Sequence, residues 1–174
     1  MKFQQMISLC AAGCVSALLV GCGSASAGNF GTFTEKGKTV SLNSGYAYRI
    51  KGEKVTKVVI CDVDKIDAKA LDAEDYRYNA LYQQISKTHP ARSCVDLSIT
   101  ADGQLYDLTT NTMNGMKMGI ASQNRPDRYK LEIKHNDDKR IEGTLRSTDE
   151  LKKEKDVEFD VKFSLDVSPT PAFS

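Results

Sequence analysis

Two histidines, His89 and His135, are the only side chains here whose ordinary charge change falls between pH 5 and 8. His89 precedes Pro90 at the end of a helical stretch, where an imidazole can interact with terminal carbonyls. His135 closes an alternating strand on its inward phase and reads as an edge histidine. The 23 acidic residues, spread from Glu35 to Asp166, supply many carboxylates without singling out an acid–base couple. There is no G-x-S-x-G, S-x-x-K or H-E-x-x-H motif, no P-loop and no dinucleotide fingerprint. The expectation is therefore a protein with no catalytic residues and no cofactor. Two metal patterns compete with plainer readings. Asp62-x-Asp64-x-x-Asp67 has the acid spacing of a hard-cation loop but lacks its later glycine and bidentate glutamate, so helix capping is expected instead. Met113-x-x-Met116-x-Met118 offers three thioethers suited to Cu(I), or three flexible side chains filling a core.

The cysteines carry more information. Lys2 gives a short charged start, and Met6 to Val20 form an apolar stretch shorter than the ~20 residues a spanning helix needs. It closes on Leu19-Val20-Gly21-Cys22. This tetrapeptide resembles the lipobox of bacterial lipoproteins. The resemblance covers residues 1–22 and implies cleavage before Cys22 and diacylation of its thiol. Residues 1–21 would then be a signal peptide, and 22–30 (CGSASAGNF) a small, polar tether. Each buried acyl methylene contributes ~0.8 kcal/mol, so more than one chain anchors stably. Gly23 stands where an inner-membrane retention signal would place Asp, which implies the outer membrane, facing the periplasm. The competing reading is cleavage after Ala25-Ser26-Ala27, releasing a soluble exported protein.

Cys10 and Cys14 leave with the signal and Cys22 is committed to lipid, so Cys61 and Cys94 remain. In an oxidising compartment they are expected to form one disulfide. They lie 33 positions apart, for which loop-closure entropy gives roughly 3.5 kcal/mol. The 24 cations less Lys2 balance the 23 acids, so the mature chain is neutral and nucleic acid is not an expected partner. The charge is unevenly spread. From Cys22 to Lys57 six cations face two acids, whereas Asp62 to Asp75 holds six acids and two lysines.

Positioning these groups falls to a chain that is mostly strand. Short strand-like pieces open the domain, with Lys36-Gly37 and Lys51-Gly52 as turns. Val55 to Cys61 is β-branched and nearly unbroken in apolarity, the pattern of a buried central strand. Leu71, Tyr78, Leu81, Tyr82 and Ile85 mark one helical face within 66–88, as one helix or two. Val95, Leu97 and Ile99 share a strand face, and a further strand is expected near Lys117 to Ala121. The last third alternates with period two. Tyr129, Leu131, Ile133 and His135 share one phase, as do Ile141, Gly143 and Leu145, then Val157, Phe159, Val161, Phe163 and Leu165. This predicts an antiparallel meander with one wet face.

The expected architecture is mainly β, an antiparallel β-sandwich with one helical insertion. The alternative is an α+β layer with a helix packed on an antiparallel sheet. The domain should span 31–168, with 169–174 a loose tail. From Gly31-Thr-Phe-Thr through Ile141-Glu-Gly-Thr-Leu to Phe159-Asp-Val-Lys-Phe the mature region resembles small uncharacterised bacterial lipoproteins, a likeness that carries no catalytic residues. The expected function is a membrane-anchored, non-catalytic binding module with a protein partner. A specific version is an immunity or inhibitor protein against a periplasmic toxin or hydrolase, and a copper-binding envelope protein is the other alternative. The candidate partner surface is the polar side of the final meander: Lys130, Glu132, Lys134, Arg140, Glu142, Asp160 and Lys162.

Overall fold

The computed structural model describes residues 28, 30–50, 53–74, 77–88, 92–111 and 117–169. The signal segment, Cys22, most of the tether, His89, Met113, Met116 and the last five residues lie outside them.

The chain begins with a hairpin, β1 (Gly31–Glu35) and β2 (Lys38–Leu42), closed by Lys36 and Gly37 at φ 49° and 74°. Two successive positive φ values give the turn the twist a two-residue hairpin needs. β3 (Ser44–Arg49) and β4 (Val55–Cys61) follow, then helices α1 (Ala68–Asp72) and α2 (Arg77–Thr88). The helical stretch is therefore two helices. Asp67 caps the first, its Oδ1 accepting from the Ala70 N–H at 3.2 Å, while Asp62 accepts from the Ser93 N–H at 2.8 Å. β5 (Cys94–Thr100), β6 (Leu105–Asn111) and β7 (Lys117–Ser122) continue the sheet. After a 3-10 turn at Pro126–Arg128 come β8 (Tyr129–Asn136), β9 (Arg140–Ser147), α3 (Asp149–Lys155) and β10 (Val157–Ser168).

The mainly β expectation holds, but the strands do not divide into the two sheets of a sandwich. All ten belong to one mixed sheet curled into a half-barrel. β10 makes this possible because it is 12 residues long and meets three neighbours. Val157 to Val161 pair with β1, Asp160 to Asp166 pair with β9, and Val167 and Ser168 run parallel to β3. The inner side of the curl holds the main core, where Phe33, Val58, Ile60, Leu97, Leu108, Leu145 and Phe163 meet fully buried. Gly143 belongs there for want of room: a Cβ would lie 3.0 Å from the Phe163 ring and 2.6 Å from the Glu132 carbonyl oxygen.

A second core lies on the outer side of β3–β4–β5, where Leu71, Leu81 and Ile85 pack onto Tyr46, Tyr48, Val59 and Cys61. Burial of each such aliphatic side chain contributes about 1.5–3 kcal/mol, which seats a helix too short to stand alone. β4 is thus covered on both faces, as its continuous apolar run predicts. The expected meander β8–β9–β10 is present and antiparallel. One phase is corrected within it. A bulge between Ile133 and His135 shifts the register so that His135 opposes Glu142 on the outward face. The histidine is not on the inward phase, because the extra bulge residue, Lys134, resets the alternation.

Candidate functional site

Strand register assembles the expected polar face. Reading across the sheet, Lys130 opposes Arg146, Arg146 opposes Asp160, Asp160 opposes Thr32 and Thr32 opposes Ser41. This row crosses five strands, roughly 19 Å at the usual spacing. Glu132, Thr144 and Lys162 form the next row, and Glu142 stands beside Ser164 in the one after. Lys130, Glu132, Arg140, Glu142, Asp160 and Lys162 therefore share one face, with Lys134 exposed at the bulge on its margin. The inward partners Phe159, Val161 and Phe163 are buried, which fixes the orientation of the strand.

The face is partly self-neutralised. Arg146 Nε donates to Asp160 Oδ1 at 3.0 Å, and Arg140 donates to Glu142 and Ser164 at 2.8 Å. Such exposed pairs contribute ~0–1 kcal/mol each, so they order side chains more than they stabilise the fold. Beside them a shallow polar depression of about 260 Å³ is lined by Thr32, Thr34, Arg146, Ser147, Glu158, Phe159 and Asp160. Its hydroxyls and charges of both signs suit hydrogen bonding to a polar partner.

At the far end of the same face His135 Nε2 lies 2.7 Å from Asp137 Oδ2. Asp137 Oδ1 accepts from the N–H groups of Lys139 and Arg140 at 2.7 and 2.8 Å. These backbone donors, with His135, hold the Asp137 carboxyl down at about 2. The constellation orders a turn; it offers no nucleophile beside the imidazole.

Sequence reasoning missed a buried ionic cluster beneath α2. Lys57 on β4 and Asp96 on β5 approach to 2.6 Å, with side chains 9% and 1% exposed. Lys57 Nζ also donates to Ser98 Oγ at 3.1 Å and stands 5.9 Å from the centre of the Tyr78 ring. Tyr82 Oη donates to Asp96 Oδ2 at 3.1 Å. Burial, and then the Asp96 charge, push the Tyr82 and Tyr48 phenols well above their ordinary range. A lysine within Val55-Thr-Lys-Val-Val-Ile-Cys61 and an aspartate beside Val95 were the available signals. As placed, the cluster joins α2 to the sheet.

Cys61 and Cys94 oppose each other across β4 and β5 and are disulfide-bonded. The next backbone bond, from the Asp62 N–H to the Ser93 carbonyl at 3.0 Å, marks them as a non-hydrogen-bonded pair, where side chains approach most closely. The bridge thus closes the neck of the whole helical excursion. Met118 on β7 is half-buried and packs against the main core. Among the described residues no group of three or more His, Cys, Asp or Glu side chains is placed to hold a metal ion. No helix among them is long and apolar enough to cross a membrane. The chain matches no family model, no curated protein and no solved structure.

Proposed function

We propose that this chain is a lipid-anchored periplasmic protein of the outer membrane that binds a protein partner without turnover. The observation that supports the partner surface is the row Lys130–Arg146–Asp160–Thr32–Ser41, with the depression beside it. Charges of both signs, fixed by register on a rigid sheet, select a partner whose charges are complementary and reject those that are not. The anchor rests on Leu19-Val20-Gly21-Cys22. Tethering confines the domain beside envelope proteins, the setting in which an immunity or inhibitor protein works.

Two measurements test the reading. Fatty-acid labelling should be lost in Cys22→Ser, and that variant should leave the membrane fraction; labelling that persists defeats the anchor. Cross-linking in intact envelopes should join the wild-type domain to one protein, and Asp160→Lys with Lys162→Glu should abolish that adduct while the melting temperature stays unchanged. An adduct that survives the double reversal places the partner elsewhere. His135→Ala and His89→Ala should keep full binding, and a folded variant that loses it would shift the reading toward chemistry.

A further inference from the structure

The curled sheet leaves three strands, β2, β7 and β8, with a neighbour on one side only among the described residues. A free edge is a template for another strand unless something blunts it. On β7 the Ile120 carbonyl already accepts from Arg128 Nη1 at 2.6 Å, and Arg128 is held in turn by Glu154. β2 is five residues long and opens on Lys38. β8 carries Lys130, whose charge is answered by Glu132 two residues on, and among the described residues no side chain covers a backbone carbonyl over its first five residues.

The backbone of β8 is oriented for pairing. The Thr148 N–H donates to the Arg128 carbonyl at 3.2 Å, and Tyr129 opposes Ser147. This phase turns the N–H and C=O groups of Lys130 and Glu132 toward β9. Those of Tyr129, Leu131 and Ile133 therefore point away from the sheet. The strand stays regular until the bulge after Ile133.

We propose that two copies of this chain associate through β8, antiparallel and centred on Leu131. That register sets Leu131 against Leu131 of the second copy and Tyr129 against Ile133, three half-buried side chains that pack on the main core. It also sets Lys130 against Glu132 of the second copy, twice by symmetry. Within their own chain Lys130 and Glu132 form no ion pair among the described residues, whereas Arg140–Glu142 and Arg146–Asp160 do. A centre at Glu132 or Lys130 would set that residue against its own copy and place like charges together. The Leu131 register uses the regular part of the strand and ends where the bulge begins. It joins two sheets edge to edge, shares only Lys130 and Glu132 with the proposed binding face, leaves the rest of that face open and does not rest on that reading.

Sedimentation equilibrium over a wide concentration range tests it, with every protein prepared as the mature chain from residue 22 and carrying Cys22→Ser, so that neither the apolar leader nor an acyl group drives association. The parent chain should dimerise reversibly. Lys130→Glu and Glu132→Lys should each weaken the dimer roughly tenfold, since each puts two like-charged pairs in contact. The swap Lys130→Glu with Glu132→Lys should restore it, and Lys162→Glu, two strands from the edge, should leave it unchanged. Circular dichroism, and melting temperature at a concentration where every variant is monomeric, should be the same throughout, since these side chains are exposed. A parent chain that stays monomeric at millimolar concentration overturns the proposal. So does a dimer that tolerates the single reversals, responds equally to Lys162→Glu, or is not rescued by the swap.

Discussion

At the scale of single residues, removing Lys57 alone would leave the Asp96 carboxylate in a setting that is 1% exposed. Loss of one partner of such a pair costs about 3–5 kcal/mol, most of it the desolvation of the survivor. Lys57→Met should destabilise by that amount in urea unfolding, and adding Asp96→Leu should recover much of the loss, because two apolar side chains need no partner. Additive costs would show that the two residues act separately. Asp137 makes a different prediction. Its carboxyl is held at about 2 against an ordinary 3.8, so the folded state binds its proton less readily than the unfolded one. The stabilisation is complete above 3.8 and drains away as pH falls through about 2. Asp137→Asn should lower the melting temperature at neutral pH and flatten its dependence on pH between those two values. A melting profile as steep as wild type would mean that other carboxylates govern the acid limb.

At the scale of elements, the turn between β1 and β2 places a lysine where the backbone favours glycine or asparagine. Lys36 at φ 49° bears the Cβ crowding of the left-handed region. Lys36→Asn supplies the residue this turn prefers and should raise stability by about 0.5–1 kcal/mol, read from chemical denaturation; an unchanged or lower stability would show that the lysine side chain has another role. Which elements were legible follows from their surroundings. β10 is buried on one face and wet on the other, so Val157 to Leu165 announce it by strict alternation. β4 has core on both faces and announces itself by an apolar run, and that same double burial conceals Lys57 among its neighbours. α3 went unread as a helix because Leu151 is its one buried residue, too few for a helical period. It is set instead by Thr148 Oγ1, which accepts from the Leu151 N–H, and by Asp156 in the left-handed conformation at its end. The bulge in β8 has no compositional mark, which is why His135 was assigned to the wrong face.

At the scale of the whole molecule, alternation records that a strand has an inside and an outside, and a sandwich and a half-barrel satisfy it equally. What separates them is how far one strand reaches, and β10 reaches both parts of the sheet. The polar face was legible for the same reason: it is the complement of a well-marked core. The cluster under α2 was not, since it depends on which helix lands on which strand. The Cys61–Cys94 bridge isolates that helical excursion from the rest of the sheet. Replacing both cysteines by alanine should cost roughly 2–5 kcal/mol. Hydrogen exchange should accelerate chiefly in α1 and α2, with β8–β10 keeping their protection; uniform acceleration would mean the sheet and its excursion open as one. Finally, the strand that unites the sheet comes last in chain order among the ten described strands. The opening hairpin cannot find its place beside Val157 to Val161 until nearly every other residue has already emerged. Long-range pairing of this kind is slow. If the chain is exported through a narrow pore with its front end first, as the proposed function requires, that delay would keep the leading portion pliable during passage and let β10 shut the fold on arrival.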